Sequence, residues 1–187
     1  MFALYLTGPP AAGKTTAGRL LAHEVGADFL SYGELLTSRL SGRVARQSEL
    51  RELSAVVISI EDVQAVDRHV FDQVSGPRDR PVIVDSHAVT AEAFGFRAVP
   101  YSAGQFAGIG YTHVACLYAP AAVIHARILA KPDGRPLLAR EEVERHTQLQ
   151  SALALSYAQA AGLPISFVNS NVDTGAVVRA LRDLVGA

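Results

Sequence analysis

The segment Gly8-Pro9-Pro10-Ala11-Ala12-Gly13-Lys14-Thr15 constrains the fold more than any other stretch of this 187-residue chain. It has the spacing G-x-x-x-x-G-K-[ST]. An apolar run over residues 2–7 precedes it and reads as a short buried strand. Residues 14–25 follow with helical periodicity, placing Ala17, Leu20, Leu21 and Val25 on one face. A strand that enters a Gly-rich turn and leaves it as a helix points backbone N–H groups and the helix's positive end into one concavity. That concavity suits phosphate oxygens. Lys14 is placed to reach β- and γ-phosphates, and Thr15 to bind Mg²⁺ through its hydroxyl. Only Lys14 and Lys131 among the 17 positive residues are lysines; the rest are arginines.

Downstream, strands and helices alternate. Strands are predicted over 27–30, 82–85, 113–118 and 165–168. Helices are predicted over most of 33–75 with a break near Gly42, then over 120–130, 140–161 and 174–185. Residues 76–81 and 131–136 read as polar loops, and Gly95–Gly110 as a Gly- and Pro-rich stretch. Apolar strands alternating with helices predict an α/β fold of the P-loop NTPase type: a five-stranded parallel sheet with helices on both faces. Ligands in such sheets bind beyond the carboxyl ends of the strands. Asp85 ends the Val82–Asp85 strand there and is the second candidate for Mg²⁺.

Composition narrows the function. The formal charge is −1, which argues against a dedicated polyanion binder such as a nucleic-acid protein, since these normally show a basic excess or stripe. One cysteine, Cys116, precludes an intrachain disulfide. No apolar run is long enough to span a membrane, and the N-terminus has no secretory pattern, so a cytoplasmic location is expected. The chain reads as one domain over residues 1–187. It carries no interface signal, which leaves the oligomeric state open.

The residues around Asp85 discriminate further. Ser86 and His87 follow it, without the adjacent Glu that activates water in many ATP-driven motors. Asn169-Ser170-Asn171-Val172-Asp173 does not supply the Asn-Lys-x-Asp guanine reader of switch GTPases. Ser102-Ala-Gly-Gln105 is faintly similar to a transporter-ATPase signature but falls on the wrong side of the Asp-ending strand, and reads as loop.

With Gly8–Thr16, Tyr32-Gly33-Glu34-Leu35, Arg46–Leu53, Val82–His87, Arg127, Asp133–Arg135, Arg145–Tyr157 and Asn169–Asn171 in view, the chain resembles the archaeal-type adenylate kinases among the nucleoside monophosphate kinases. The resemblance implies ATP-dependent phosphoryl transfer to a second, small-molecule acceptor, with ATP and Mg²⁺ bound by Gly8 through Thr16 and by Asp85. It implies an acceptor-binding helical insertion over 32–74, with Tyr32, Gly33, Arg46, Arg51 and His87 towards the acceptor. A short lid over 131–139 would place Arg135 beside Arg127, on ATP phosphates or base. Asn169 and Asn171 would frame the adenine. Arginine forks suit the charge that develops on a transferred phosphoryl group.

Two segments differ from the family's pattern. Pro9-Pro10-Ala11-Ala12 stands where the family usually has Pro-Gly in the turn. Phe94–Tyr101 replaces a Leu-Pro-Gly-Leu-Pro type run, making Phe96 and Tyr101 candidates to stack on a ring and Arg97 a candidate to hold an anion. Three functions follow from these residues: a kinase of AMP-like monophosphates, a kinase of a nucleoside or other small hydroxyl metabolite with Asp85, His87 or Glu34 as base, and a nucleotide-binding regulatory module.

Overall fold

A computed structural model describes residues 1–53, 57–92, 94–98 and 101–187. Five parallel strands form the central sheet: β1 (Ala3–Thr7), β2 (Asp28–Ser31), β3 (Val82–Asp85), β6 (His113–Tyr118) and β7 (Ile165–Asn169). Their order is β2-β3-β1-β6-β7. The chain runs to one side of β1 and then to the other, which puts the topological switch point at the end of β1, where the Gly-rich loop begins.

Alternation along the strands divides the core. Leu4, Leu6, Ile83, Ala115 and Leu117 face one layer, packed with residues of α1 (Lys14–Val25), α6 (Ala121–Ala130) and α8 (Thr174–Val185). Ala3, Tyr5, Val82, Val84 and Val114 face the other, against α4 (Ile60–Ser75), α5 (Ala103–Ile109) and α7 (Arg140–Ala161). Both faces are apolar because both are covered by helices. On the second face the rings of Phe106 and Tyr157 stack at 4.6 Å, with Tyr5 edge-on to Phe106 at 5.1 Å. Among the described residues, no helix is long and apolar enough to cross a membrane.

The predicted helical stretch 33–75 resolves into α2 (Tyr32–Arg39), α3 (Gln47–Glu52) and α4; its residues 54–56 lie outside the described residues. Buried Asp62 fixes this insertion. It closes the α4 capping box with Ser59 and pairs with Arg39 and Arg43, both at 3.1 Å. The Ser59 hydrogen bonds, offset in part by burial and reinforced by Arg43, pull its pKa down to about 2.

The stretch from Gly95 to Gly110 departs from the predicted loop. β4 (Val89–Glu92) and β5 (Gly95–Ala98) pair as an antiparallel hairpin, with Thr90 opposite Arg97 and Ala91 opposite Phe96. Four-residue strands this short leave little alternation to detect. Ser102–Gln105, read as loop, opens α5 through a reciprocal cap between Ser102 and Gln105. Val99 and Pro100 of the Phe94–Tyr101 run lie outside the described residues.

Candidate active site

The phosphate loop is shaped by its glycines. Gly8 has φ +142°, and a Cβ there would collide with the Leu117 carbonyl oxygen of β6. Gly13, at φ +86°, leads directly into α1. Helices α4, α5 and α8 are capped by Ser59, Ser102 and Asp173 side chains, whereas α1 has no side-chain cap. The N–H groups of Gly13, Lys14, Thr15 and Thr16 therefore find no acceptor among the described residues. Open donors at a helix N-terminus form an anion site.

Lys14 is buried, and its ammonium donates to the carbonyl oxygens of Gly8 at 2.9 Å and Pro9 at 3.0 Å. Burial pulls its pKa down, and Asp85 opposes that shift. Thr15 Oγ1 donates to Asp85 Oδ2 at 2.5 Å, which joins the first turn of α1 to the end of β3. Burial raises the Asp85 pKa, while Lys14 and Thr15 lower it. A hydroxyl and a carboxylate at this spacing are the hard oxygen donors that suit Mg²⁺.

Arg127 is a strut on the donor side. It donates to the Ser170 carbonyl oxygen at 2.7 Å and to the Ala11 carbonyl oxygen at 3.3 Å, bracing the phosphate loop against the turn after β7. A hollow of about 230 Å³ lies there, lined by Ala11, Ala12, Gly13, Thr16, Arg127 and Ser170 among others. Asn169 and Asn171 are exposed and line neither this hollow nor the larger cavity. Asn169 accepts from the Asn171 N–H at 2.8 Å. Ser170 between them is buried and donates to the Tyr118 carbonyl oxygen at 3.0 Å.

The larger cavity, about 390 Å³, opens beside Pro9 and Pro10. Tyr32, Gly33, Arg51, His87, Arg97 and Arg135 all line it. Arg46 does not; it is exposed at the start of α3. Phe96 does not line it either, and its ring lies 5.2 Å from that of His146. Arg97 pairs with Glu92 at 3.2 Å. Glu34, a candidate base, is held by exposed Arg19 at 2.6 Å and is outside the lining.

The 131–139 loop meets α3. Arg51 donates to the Asp133 carbonyl oxygen and to Gln47 Oε1, each at 2.9 Å. Gly134, at φ +73°, approaches so closely that a Cβ would collide with the Ser48 carbonyl oxygen. Arg135 donates to the carbonyls of Lys131 and Pro132 at 3.3 and 3.2 Å. Arg51 lies within electrostatic reach of Arg135 and Asp85, and its pKa is lowered first by burial. Burial, then Lys14, His146, Arg51 and Arg135, push the His87 imidazole down to about 3, so it is neutral at physiological pH.

Two residues that shape the site escaped the sequence reading. Asp67 on α4 accepts from the Tyr32 hydroxyl at 2.7 Å. Nothing in the sequence of α4 sets it apart from Glu61, Asp62 and Asp72. Gln150, fully buried on α7, donates to Thr7 Oγ1 at 2.9 Å and accepts from the Val89 N–H at 3.2 Å. Such long-range partners leave no local pattern.

A phosphate cradle opening onto a deep cavity, with arginines from two elements between them, is the plan of a phosphate-loop kinase, a phosphotransferase. Comparison with known proteins agrees. A family model described as an AAA domain matches residues 7–144, and the chain belongs to that family. The adenylate kinase of Pyrococcus furiosus is 24% identical over 189 residues, spanning 98% of this chain and 93% of that protein. Among solved structures, shikimate kinase from Aquifex aeolicus superposes with a TM-score of 0.64 at 17% identity, covering 99% of this chain and 96% of the other. A gluconokinase from Sinorhizobium meliloti gives 0.56 at 15% identity, covering 99% and 90%. Those two likenesses bear on the fold.

Proposed function

We propose that the protein transfers the γ-phosphoryl group of ATP to a nucleoside monophosphate, with an AMP-like compound as acceptor. The observation that carries this reading is the convergence of Lys14, Arg51 and Arg135 where the phosphate loop meets the acceptor cavity. The resemblance in length and sequence to an adenylate kinase supports it.

In this reading the open amides of α1 bind the β- and γ-phosphates, and Lys14 exchanges its loop carbonyls for phosphate oxygens. Thr15 and Asp85 would hold Mg²⁺, which would supply charge neutralisation when bound. Arg51 and Tyr32 orient the acceptor, and Arg135 follows the charge on the moving group. An acceptor phosphate oxygen forms the new bond to the γ-phosphorus, the bond from that phosphorus to the β–γ bridging oxygen breaks, and ADP leaves. A phosphate acceptor is already nucleophilic, so no general base is required.

A second reading, transfer to a small hydroxyl metabolite, draws on Asp85. Its burial raises the pKa, which suits a base at the end of β3. A coupled assay of ADP formation with Mg-ATP across nucleoside monophosphates, nucleosides and small polyols separates the two. Turnover with monophosphates supports the first reading, and turnover confined to uncharged alcohols replaces it with the second. No ADP above background with any acceptor overturns both.

A further inference from the structure

Consecutive residues of the 131–139 loop occupy two arginines of the cavity wall from within the chain. Arg135 Nη1 donates to the carbonyl oxygens of Lys131 and Pro132 and lies 3.6 Å from the Asp133 carboxylate. Arg51 Nη1 donates to the Asp133 carbonyl oxygen. Asp133 therefore meets both guanidinium groups, one through its side chain and the other through its backbone. Arg51 belongs to α3 and Arg135 to the loop, and both line the cavity.

Two guanidinium groups facing one cavity repel each other. Burial, then Arg135, lower the Arg51 pKa, and Asp133 opposes them. An anion between the two relieves that repulsion, and Asp133 supplies one. Its backbone records the constraint. Among the described residues, the non-glycine positions with positive φ are Ala11 of the phosphate loop, at +60°, and Asp133, at +48°. This conformation costs energy for an L-residue, and residues held in it cluster at binding sites and switch segments. A carboxylate and a phosphate compete for the same guanidinium fork. An arginine held by an internal acceptor must exchange it before it serves a ligand. The apparent affinity of that ligand falls with the fraction of molecules in which the arginine is available.

We propose that Asp133 is an autoinhibitory anion: its carboxylate on Arg135 and its carbonyl on Arg51 hold both arginines away from the phosphate groups of the substrates, and substrate binding displaces it. This rests on the kinase reading, in which Arg51 and Arg135 meet phosphate. One residue holds both arginines, so a substrate that displaces Asp133 from one loosens it from the other. The first substrate to bind thus prepares the site for the second.

The test is calorimetric titration with AMP and with the Mg²⁺ complex of the β,γ-imido analogue of ATP, each alone and each in the presence of the other. In the wild-type protein each ligand should bind at least about threefold more tightly when the other is present. Asp133→Asn removes the charge and tolerates the left-handed backbone. It should bind each ligand alone at least about threefold more tightly, the worth of a partly exposed ion pair, and the mutual enhancement should fall. Weaker or unchanged binding in Asp133→Asn overturns the proposal, since it makes Asp133 a residue that holds Arg135 ready for the ligand. Glu141→Gln removes the same charge from the exposed first turn of α7. It should leave both affinities within about twofold. Tightening equal to that of Asp133→Asn reduces the effect to net charge and overturns the proposal. Should Asp133→Asn fail to fold, Asp133→Gly decides in its place, with the same direction expected and the same results overturning it. If AMP alone does not bind, the monophosphate reading fails by itself. The ATP analogue, whose phosphates Arg135 meets with either class of acceptor, then decides the role of Asp133. Binding of neither ligand overturns both.

Discussion

Arg51 Nη1 donates to the carbonyl oxygen of Asp133 at 2.9 Å, fastening α3 to the 131–139 loop, the expected lid, across 82 positions of sequence. One cation thus serves two elements, since its other nitrogen holds Gln47. In the proposed reaction Arg51 exchanges that carbonyl for the acceptor. Arg51→Ala should therefore raise the acceptor KM roughly 10-fold to 100-fold, the worth of about 1.5–3 kcal/mol for a hydrogen bond to a charged group. The KM for ATP should change far less. Steady-state kinetics varying each substrate check this, and equal changes in both would place Arg51 outside the acceptor site.

Lys14 is poised between two loop carbonyls, which it leaves for phosphate in the proposed reaction. Lys14→Ala should lower kcat by at least about 10²–10³, the usual result of removing one preorganised electrostatic donor. The fold should persist, because the loop conformation is set by Gly8 and Gly13. Circular dichroism and single-turnover ADP release measure the two effects separately.

Thr15 and Asp85 are the residues suited to Mg²⁺. Asp85→Asn keeps the shape and removes the charge, so the Mg²⁺ concentration giving half-maximal activity should rise by at least tenfold, about 1.4 kcal/mol. Titrating Mg²⁺ at fixed ATP checks it. An unchanged midpoint would assign Asp85 to loop structure alone.

Gly134 combines φ +73° with a close approach to the Ser48 carbonyl. An alanine there costs about 1–2 kcal/mol in a left-handed conformation, besides the collision. The lid contact should become correspondingly rarer, by a factor of roughly 5–30. Gly134→Ala should lower kcat with little change in melting temperature, because the lid contributes little to the core. A large fall in melting temperature would show instead that the lid is part of the folding unit.

His87 should make the fold acid-sensitive. Its folded pKa of about 3 lies below the ordinary imidazole value of about 6.5. Between those values the unfolded chain binds the proton that the folded chain refuses, so stability rises with pH across that window and is lost as pH falls through it. Melting temperature should drop from pH 7 to pH 4, and His87→Gln should drop less over the same range. Each kcal/mol shows as about 2–4 °C in a domain of this size. Parallel curves for the two proteins would contradict the burial of His87 among cations.

The parts legible in the sequence are those with local causes. The strand, turn and helix around Gly8–Thr15 follow from spacing and glycine geometry, and the strand ending at Asp85 from a short apolar run. Arg135 was legible as an arginine beside the expected lid and Arg51 as one in the expected acceptor insertion, but their meeting depends on the Arg51–Asp133 contact, which no local pattern encodes. Arg46 and Arg51 looked alike on paper; the turn into α3 separates them, leaving Arg46 exposed and Arg51 on the cavity wall. The β4–β5 hairpin was hidden because strands of four residues bounded by Gly95 look like loop. Asp67 was hidden because nothing in the sequence of α4 marks one carboxylate among Glu61, Asp62, Asp67 and Asp72 as facing a cavity.

Gln150 sits where two parts of the chemistry are anchored. Its amide grips Thr7, the residue before the phosphate loop, and Val89, the first residue of the hairpin that carries Arg97. The strand end that enters the phosphate loop and the hairpin are therefore pinned to the same point on the buried face of α7. In the proposed reaction, the spacing across which the phosphoryl group must jump is set by the scaffold before either ligand arrives, as a gauge block sets the gap of an instrument.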